Sequence, residues 1–296
     1  MESTNQQAEL ASTPFLQLLS FAMIWLVCAL VGGSLLTLLM QANGWTSIGA
    51  ILEEVSQTKD TALINQLRYF QLLGHLSNYL LPAIVFAFWW YGQKAWKKMQ
   101  LHNRPPIPLL LASLVAIFVL FPFVSWVYYW NMQLLPEEWI GYDKLELQAV
   151  FMHMPSQYEL FLNLLLLGVV AALGEELVFR GIIQPVLERL TSNVHGSALL
   201  TAALFSFIHF QWEGFLARFI LGLLFCYLLI YTRNLWIPII MHFIFNSMQV
   251  INAYFNPELI KEAGQLSVVP WSIAAGSLLL FAIIWKFFIV EKGYNL

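Results

Sequence analysis

Apolar residues in this chain do not alternate with polar ones, as they would along a half-buried strand, but run on with little interruption by charge. A bilayer core of about 30 Å is crossed by about 20 apolar residues in a helix. Eight stretches approach or exceed that length: 15–40, 69–91, 107–130, 158–188, 196–210, 215–231, 235–255 and 270–290. Each is bounded by polar or Gly/Pro punctuation such as NGW, NRPPIP, NPE and VVPW. The run at 196–210 is short for a full span, and the long run at 158–188 is expected to continue past the interface as the amphipathic VLERL. The pattern predicts an all-α, polytopic membrane protein with about eight transmembrane helices. In the absence of an internal repeat, 1–296 reads as a single membrane domain.

Composition narrows the function classes. The chain is 59% hydrophobic and 10% charged, against roughly 25% charged in an ordinary soluble domain. Mean hydropathy is +0.69, which excludes a disordered chain. A net charge of -3, with no Lys/Arg stripe, gives no footprint for nucleic acid. Cys28 and Cys226 both lie in apolar runs without metal-ligand or disulfide spacing. MESTNQQAEL has no Lys or Arg, so the first run is expected to be a retained helix and not a signal peptide.

With eight spans, Lys94, Lys97, Lys98, Arg104, Arg189, Arg233 and Lys292 share a side with both termini. Lys59, Arg68, Lys144, Arg218 and Lys261 fall opposite, among Glu53, Glu54, Asp60, Glu137, Glu138, Asp143 and Glu146. The basic side is expected to face the cytoplasm, in a cell inner or plasma membrane, with both termini cytoplasmic.

Ionisable groups inside apolar runs carry the chemistry, because each costs about 2.5 to 3.5 kcal/mol at a helix centre. LGEELVFRG places Glu175, Glu176 and Arg180 within six residues of one run. At 100° per residue Arg180 lies about 40° from Glu176 and about 140° from Glu175. Glu176 and Arg180 therefore read as an i, i+4 structural ion pair. Glu175, left without a local counter-charge, reads as a general base. Two other runs contribute histidines: His209, with Phe205 one turn earlier in ALFSFIHF, and His242, with Asn246 at i+4 in IIMHFIFN. His242 lies about 10 Å from the basic end of its helix and His209 about 20 Å.

Elsewhere, His75, Ser77 and Asn78 in GHLSNYLLP are read as interhelical hydrogen-bonding groups, with lining of the same cavity as the other option. Arg218 and Lys286 are placed to snorkel from helix ends. His102, His153 and His195 read as surface residues.

Glu175-Glu176-x-x-x-Arg180, Phe205-x-x-x-His209 and His242-x-x-x-Asn246, in that order on successive helices, resemble the CPBP family. These are the CAAX proteases and bacteriocin-processing enzymes, also called the Abi family, which include the type II CAAX prenyl endopeptidases. The resemblance covers roughly 160–255. It implies an eight-helix intramembrane endopeptidase acting on a peptide or lipidated protein within the bilayer, either prenylated or bacteriocin-like. In it Glu175, helped by His209, activates water, His242 and Asn246 stabilise the oxyanion, and Glu176, Arg180 and Phe205 support the site, with no cofactor. Two alternatives stand beside it. One is a zinc protease with Glu175, His209 and His242 as ligands, although no HExxH is present. The other is a non-enzymatic membrane scaffold or immunity protein.

Overall fold

The computed structural model describes residues 13–257 and 268–291, with no side chains described at Ser56 or at residues 142–144. Lys261, Lys292 and the N-terminal Glu2 and Glu9 lie outside the described residues. Among the described residues the chain is helical and without strands. The ten helices used below are α1 (Pro14–Ala42), α2 (Ile48–Thr58), α3 (Thr61–Lys98), α4 (Ile107–Leu134), α5 (Tyr142–Phe151), α6 (Gln157–Thr191), α7 (Val194–Phe207), α8 (Phe215–Thr232), α9 (Trp236–Phe255) and α10 (Trp271–Val290).

The eight apolar runs correspond to α1, α3, α4 and α6–α10. Among the described residues six helices are long and apolar enough to cross a membrane, α8 counting with the preceding turn from Trp212, while α7 has only 14 residues. The helix α9 has 20 residues, but His242, Asn246 and other polar side chains dilute it. Two helices were not expected. The run 43–60 folds into α2, whose Ile51 and Val55 are buried, and 142–151 folds into α5. Both pack on one end of the bundle, where Ile51, Val55, Ile64, Leu67, Phe70 and Phe151 form a single apolar cluster. These helices roof that end.

Arg68, counted above with the loop cations, sits inside α3 and is 1% exposed. Protein acceptors surround it: its guanidinium donates to Asn163 Oδ1 at 2.9 Å, Asn65 Oδ1 at 2.5 Å, and the carbonyls of Phe151 and His153 at 2.8 and 2.7 Å. The C-terminus of α5, whose last carbonyls have no helical partner, is thereby pinned to α3 and α6. A capping box of Ser156 and Glu159 starts α6 beside it.

The opposite end is closed by packing. Met99 and Leu101, from the segment after α3, join Phe86, Val178, Phe179, Ile182, Leu229 and Leu235 in a buried cluster. Backbone and side chains cross-link the two connections there: Leu235 N donates to Gln100 O at 3.1 Å, Trp236 Nε1 to Leu101 O at 3.0 Å, and Asn234 Nδ2 to Asn103 O at 3.0 Å.

Pro122 breaks the backbone ladder of α4. A side chain of α10 repairs it: Ser277 Oγ donates to Val119 O at 2.6 Å and accepts from Phe123 N at 3.3 Å. Groups freed by proline in a membrane helix are met in this way by neighbouring helices.

Candidate functional site

Near its middle α6 departs from regular α-helix twice, widening to π-helical turns at Leu164–Val170 and Phe179–Ile183. Between them lies Ala171–Val178, with both glutamates. Such widened turns recur at functional sites because they leave carbonyls for outside donors. Here the Leu167 carbonyl accepts from Asn246 Nδ2 of α9 at 2.8 Å. Close approach of neighbours needs glycine: a Cβ on Gly168 would stand 2.9 Å from Ser247 Oγ of α9, and one on Gly174 2.9 Å from Tyr79 Cβ of α3.

Arg180 Nη1 donates to Glu176 Oε1 at 2.8 Å, both side chains fully buried, so the i, i+4 contact is present although the second π turn lies within it. Nη2 donates to the Gly222 carbonyl of α8 at 2.9 Å. The guanidinium carbon stands 4.6 Å from the Phe205 ring centroid and 5.4 Å from that of Phe225, so aromatic faces flank the cation.

Glu176 holds more than its helical partner. His242 Nδ1 donates to the same Oε1 at 2.8 Å, which turns Nε2 toward Glu175 Oε2 at 3.9 Å. The His242 ring stacks on Phe225 at 5.1 Å and meets the edge of Phe205 at 5.9 Å. The Glu175 side chain makes no hydrogen bond with the described residues.

His209 does not end a helix. The helix α7 stops at Phe207, and His209 lies in the turn that follows, its Nδ1 2.8 Å from the Phe205 carbonyl. A carbonyl only accepts, so Nδ1 carries a proton in this contact. The turn needs outside support. Asn131 of α4 donates to Trp212 O at 3.0 Å and accepts from Leu216 N at 2.8 Å, and Ser206 Oγ donates to Phe215 O at 2.7 Å. Arg218 donates to Gln211 through its backbone carbonyl and its Oε1. Arg218 is thus committed inside the protein, against the expectation that it snorkels from a helix end, whereas Lys286 is exposed.

A chamber of about 1360 Å³ is walled in part by Glu175, His209 and Asn246. It adjoins a smaller space of about 410 Å³ that shares these three residues and adds His242, Phe205 and Arg218. The structure therefore gathers Glu175, His209, His242 and Asn246 around one space, with Glu176 and Arg180 packed behind it. His75 and Asn78 line the chamber as well. Asn78 bonds back to Gly74 O of its own helix, Ser77 to Leu73 O, and His75 Nδ1 is buried without a hydrogen bond, so none of the three makes a described interhelical bond. Tyr128, Gln148 and Gln249 line both spaces, and sequence reasoning missed them. The only signal for the glutamines was polarity near apolar runs. Cys226 is buried and Cys28 partly exposed, both free thiols. Among the described residues no three His, Cys, Asp or Glu side chains are grouped so as to hold a metal ion, the Glu175, His209 and His242 set included.

A family model described as type II CAAX prenyl endopeptidase Rce1-like matches residues 157–248. The match begins at the first turns of α6, covers less than a third of the chain, and includes every residue gathered at the chamber from α6, α7, α8 and α9 except Gln249 and Val250. No curated protein and no solved structure matches the chain. Likeness to this family implies a protease, a peptide-bond hydrolase, in a membrane protein.

Proposed function

From the premise that residues 157–248 carry the core of the Rce1-like CAAX protease family, we propose that the protein is an intramembrane endopeptidase in which Glu175 activates water. Its substrate is a membrane-associated peptide or lipidated protein. The observation that carries the reading is the unequal standing of two adjacent glutamates. Glu176 Oε1 accepts from both Arg180 and His242, each at 2.8 Å, while the Glu175 side chain makes no hydrogen bond with the described residues and lines the chamber.

Glu175 takes a proton from water, and His209 Nε2 accepts the other water hydrogen and so aims the oxygen. The nascent hydroxide adds to the scissile carbonyl. His242 Nε2, with Nδ1 bound to Glu176, and the second amide hydrogen of Asn246, the first being on Leu167 O, are the donors for the oxyanion. Donation by both ring nitrogens requires the imidazolium. With Glu175 holding the water proton, the two cations, Arg180 and His242, then face the Glu176 carboxylate and the oxyanion. As the tetrahedral adduct collapses, the proton held by Glu175 passes to the leaving amine, which returns the base.

No step above uses a metal. Elemental analysis and exhaustive chelation test it: activity retained without metal is expected, while stoichiometric zinc with activity restored only by zinc would make Glu175, His209 and His242 ligands. The peptidase reading itself is tested by comparing membrane and secreted peptides from cells making wild type or Glu175→Ala. An uncleaved precursor should accumulate with the variant, and identical peptide profiles would refute the activity.

For orientation, we infer that the 92–106 segment and both termini are cytoplasmic. Moving Arg68 and Arg218 from loops to protein-internal positions leaves the basic asymmetry in place. A reporter fused at residue 98 that signals from outside would overturn this map.

A further inference from the structure

The helix α3 is apolar enough to cross a membrane, yet it meets the chamber with a polar stripe: Gln71, Gly74, His75 and Asn78 share one face at helical spacing and all line the wall. The family match begins at residue 157, so no part of this stripe belongs to it. Among the described residues no hydrogen bond ties these side chains to a neighbouring helix. Asn78 Nδ2 donates to Gly74 O at 2.9 Å within α3, and Gln71 Oε1 and His75 Nδ1 are buried without a partner. Gly74 leaves the backbone bare between them, because a Cβ there would meet nothing within 4 Å.

The stripe is fixed beside the base. From Leu76 to Leu80 α3 widens into a π-helical turn. There it approaches α6 so closely that a Cβ on Gly174, the residue before Glu175, would stand 2.9 Å from Tyr79 Cβ. The Tyr79 ring in turn lies 5.5 Å from the His75 ring.

A buried polar atom without a partner is costly, and native proteins keep few. Two of them, four residues apart on a chamber wall, are relieved together by a polar occupant, because the terminal torsions of Gln and His turn readily. A lipid chain offers them nothing. A peptide brings an N–H and a C=O at nearly every residue, each needing a partner once water is stripped away. A carboxamide presents donor and acceptor in one plane, the complement of a peptide unit. Spacing agrees: Gln71 and His75 are about 6 Å apart along the helix axis, and alternate residues on one edge of an extended chain are about 6.6 Å apart. From Gln71 to Asn78 the stripe runs about 10 Å, the length of about three extended residues.

We propose that Gln71, Gly74, His75 and Asn78 form a subsite that binds the main chain of an extended peptide of about three residues next to the scissile bond. Its substrate class is accordingly a segment unwound from helix and read through its backbone more than its side chains. The proposal rests on the peptidase reading for its occupant.

Photocrosslinking tests it without turnover. The probe is a biotinylated nonapeptide of alanine and leucine carrying one diazirine residue, whose side chains form no hydrogen bonds, added to the Glu175→Gln protein in detergent. The label should map to 71–78 and should be competed by the unlabelled peptide better than by an analogue N-methylated at alternate residues. Gln71→Leu should weaken labelling by about 5-fold for each hydrogen bond lost. Gly74→Leu, which fills the bare stretch, should weaken it at least as much. Equal competition by the two peptides overturns the proposal, as does a label elsewhere or labelling unchanged in both variants. Should Gln71→Leu fail to accumulate, Gly74→Leu decides alone. With Glu175 restored, both variants should raise KM for a reporter peptide more than they lower kcat. Hydrolysis that neither variant alters keeps the peptidase and discards the subsite, whereas stripe-dependent labelling of a protein that cleaves nothing does the reverse.

Discussion

Glu175 and Glu176 are neighbours in sequence, and replacing each by glutamine should produce opposite phenotypes. Glu176→Gln keeps the volume but removes the charge that Arg180 Nη1 and His242 Nδ1 both bind at 2.8 Å, in a side chain that is 0% exposed. Arg180 keeps the Gly222 carbonyl and its aromatic flanks but has no anion left. Stranding one member of a buried pair costs about 3 to 5 kcal/mol. Because the amide oxygen still accepts one bond, the lower end applies. At about 2 to 4 °C per kcal/mol, a 3 kcal/mol loss is a drop of roughly 6 to 12 °C in melting temperature. Glu175→Gln removes no hydrogen bond, only an approach of 3.9 Å to His242, and should lower the melting temperature by less than Glu176→Gln does while lowering turnover by about 100-fold or more. The assay pairs detergent melting followed by size-exclusion recovery with cleavage of a reporter peptide well below both midpoints. Equal melting shifts for the two variants, or a Glu175→Gln enzyme that still turns over at near wild-type rate, would refute the division of labour.

Arg68→Leu should detach the roof, since it leaves the His153 carbonyl and the Asn163 carboxamide oxygen without their donor at about 1 to 3 kcal/mol each, and the Phe151 carbonyl with Asn163 Nδ2 alone; protease nicking within 135–156 should rise sharply, and unchanged resistance would count against the network. Gly174→Ala puts a methyl 2.9 Å from Tyr79 Cβ and 3.3 Å from the Leu80 backbone nitrogen, overpacking worth about 1 to 3 kcal/mol, and should lower both the melting temperature and turnover by pushing the helix turn that carries Glu175. Ser277→Ala loses both contacts at the Pro122 break; membrane hydrogen bonds average about 0.6 kcal/mol, so a loss near 1 kcal/mol is expected with turnover below the midpoint unchanged. A shift several times larger would mean that α4 and α10 separate.

The spans were legible because the bilayer imposes one length on every crossing segment, and a run such as 107–130 has no other stable use. The roof helices were not, for a reason of scale. The helix α2 has 11 residues and α5 has 10, shorter than any spanning window, and about half of their residues are polar. The stripe Ile48, Ile51, Leu52, Val55 follows helical spacing, but nothing local says what would cover it; Ile64, Leu67 and Phe70 do, and they belong to the next helix. Arg68 went astray through counting. A rule that sums Lys and Arg near helix ends reads charge alone, and the partners that hold Arg68 inside lie 83 to 95 residues away, apart from Asn65.

At the site, the same limit separates what helical spacing can carry from what it cannot. The Glu176–Arg180 contact is local, and four residues suffice to foresee it. The His242–Glu176 bond spans 66 residues, and without it Glu176 looks like a partner for arginine alone. That bond gives Glu176 a second duty, to fix which nitrogen of His242 faces Glu175. His209 depends on a different non-local event. A 14-residue helix rises about 21 Å, so α7 ends short of a full crossing and its following turn lies at membrane depth. Backbone exposed there to lipid would be prohibitive. Asn131, Ser206 and Arg218, from three helices, supply the missing partners for Trp212, Leu216, Phe215 and Gln211. Because they do, the chain can leave the helix at Phe207, and the ring of His209 is set at the chamber wall beside Glu175 instead of continuing along the face of α7.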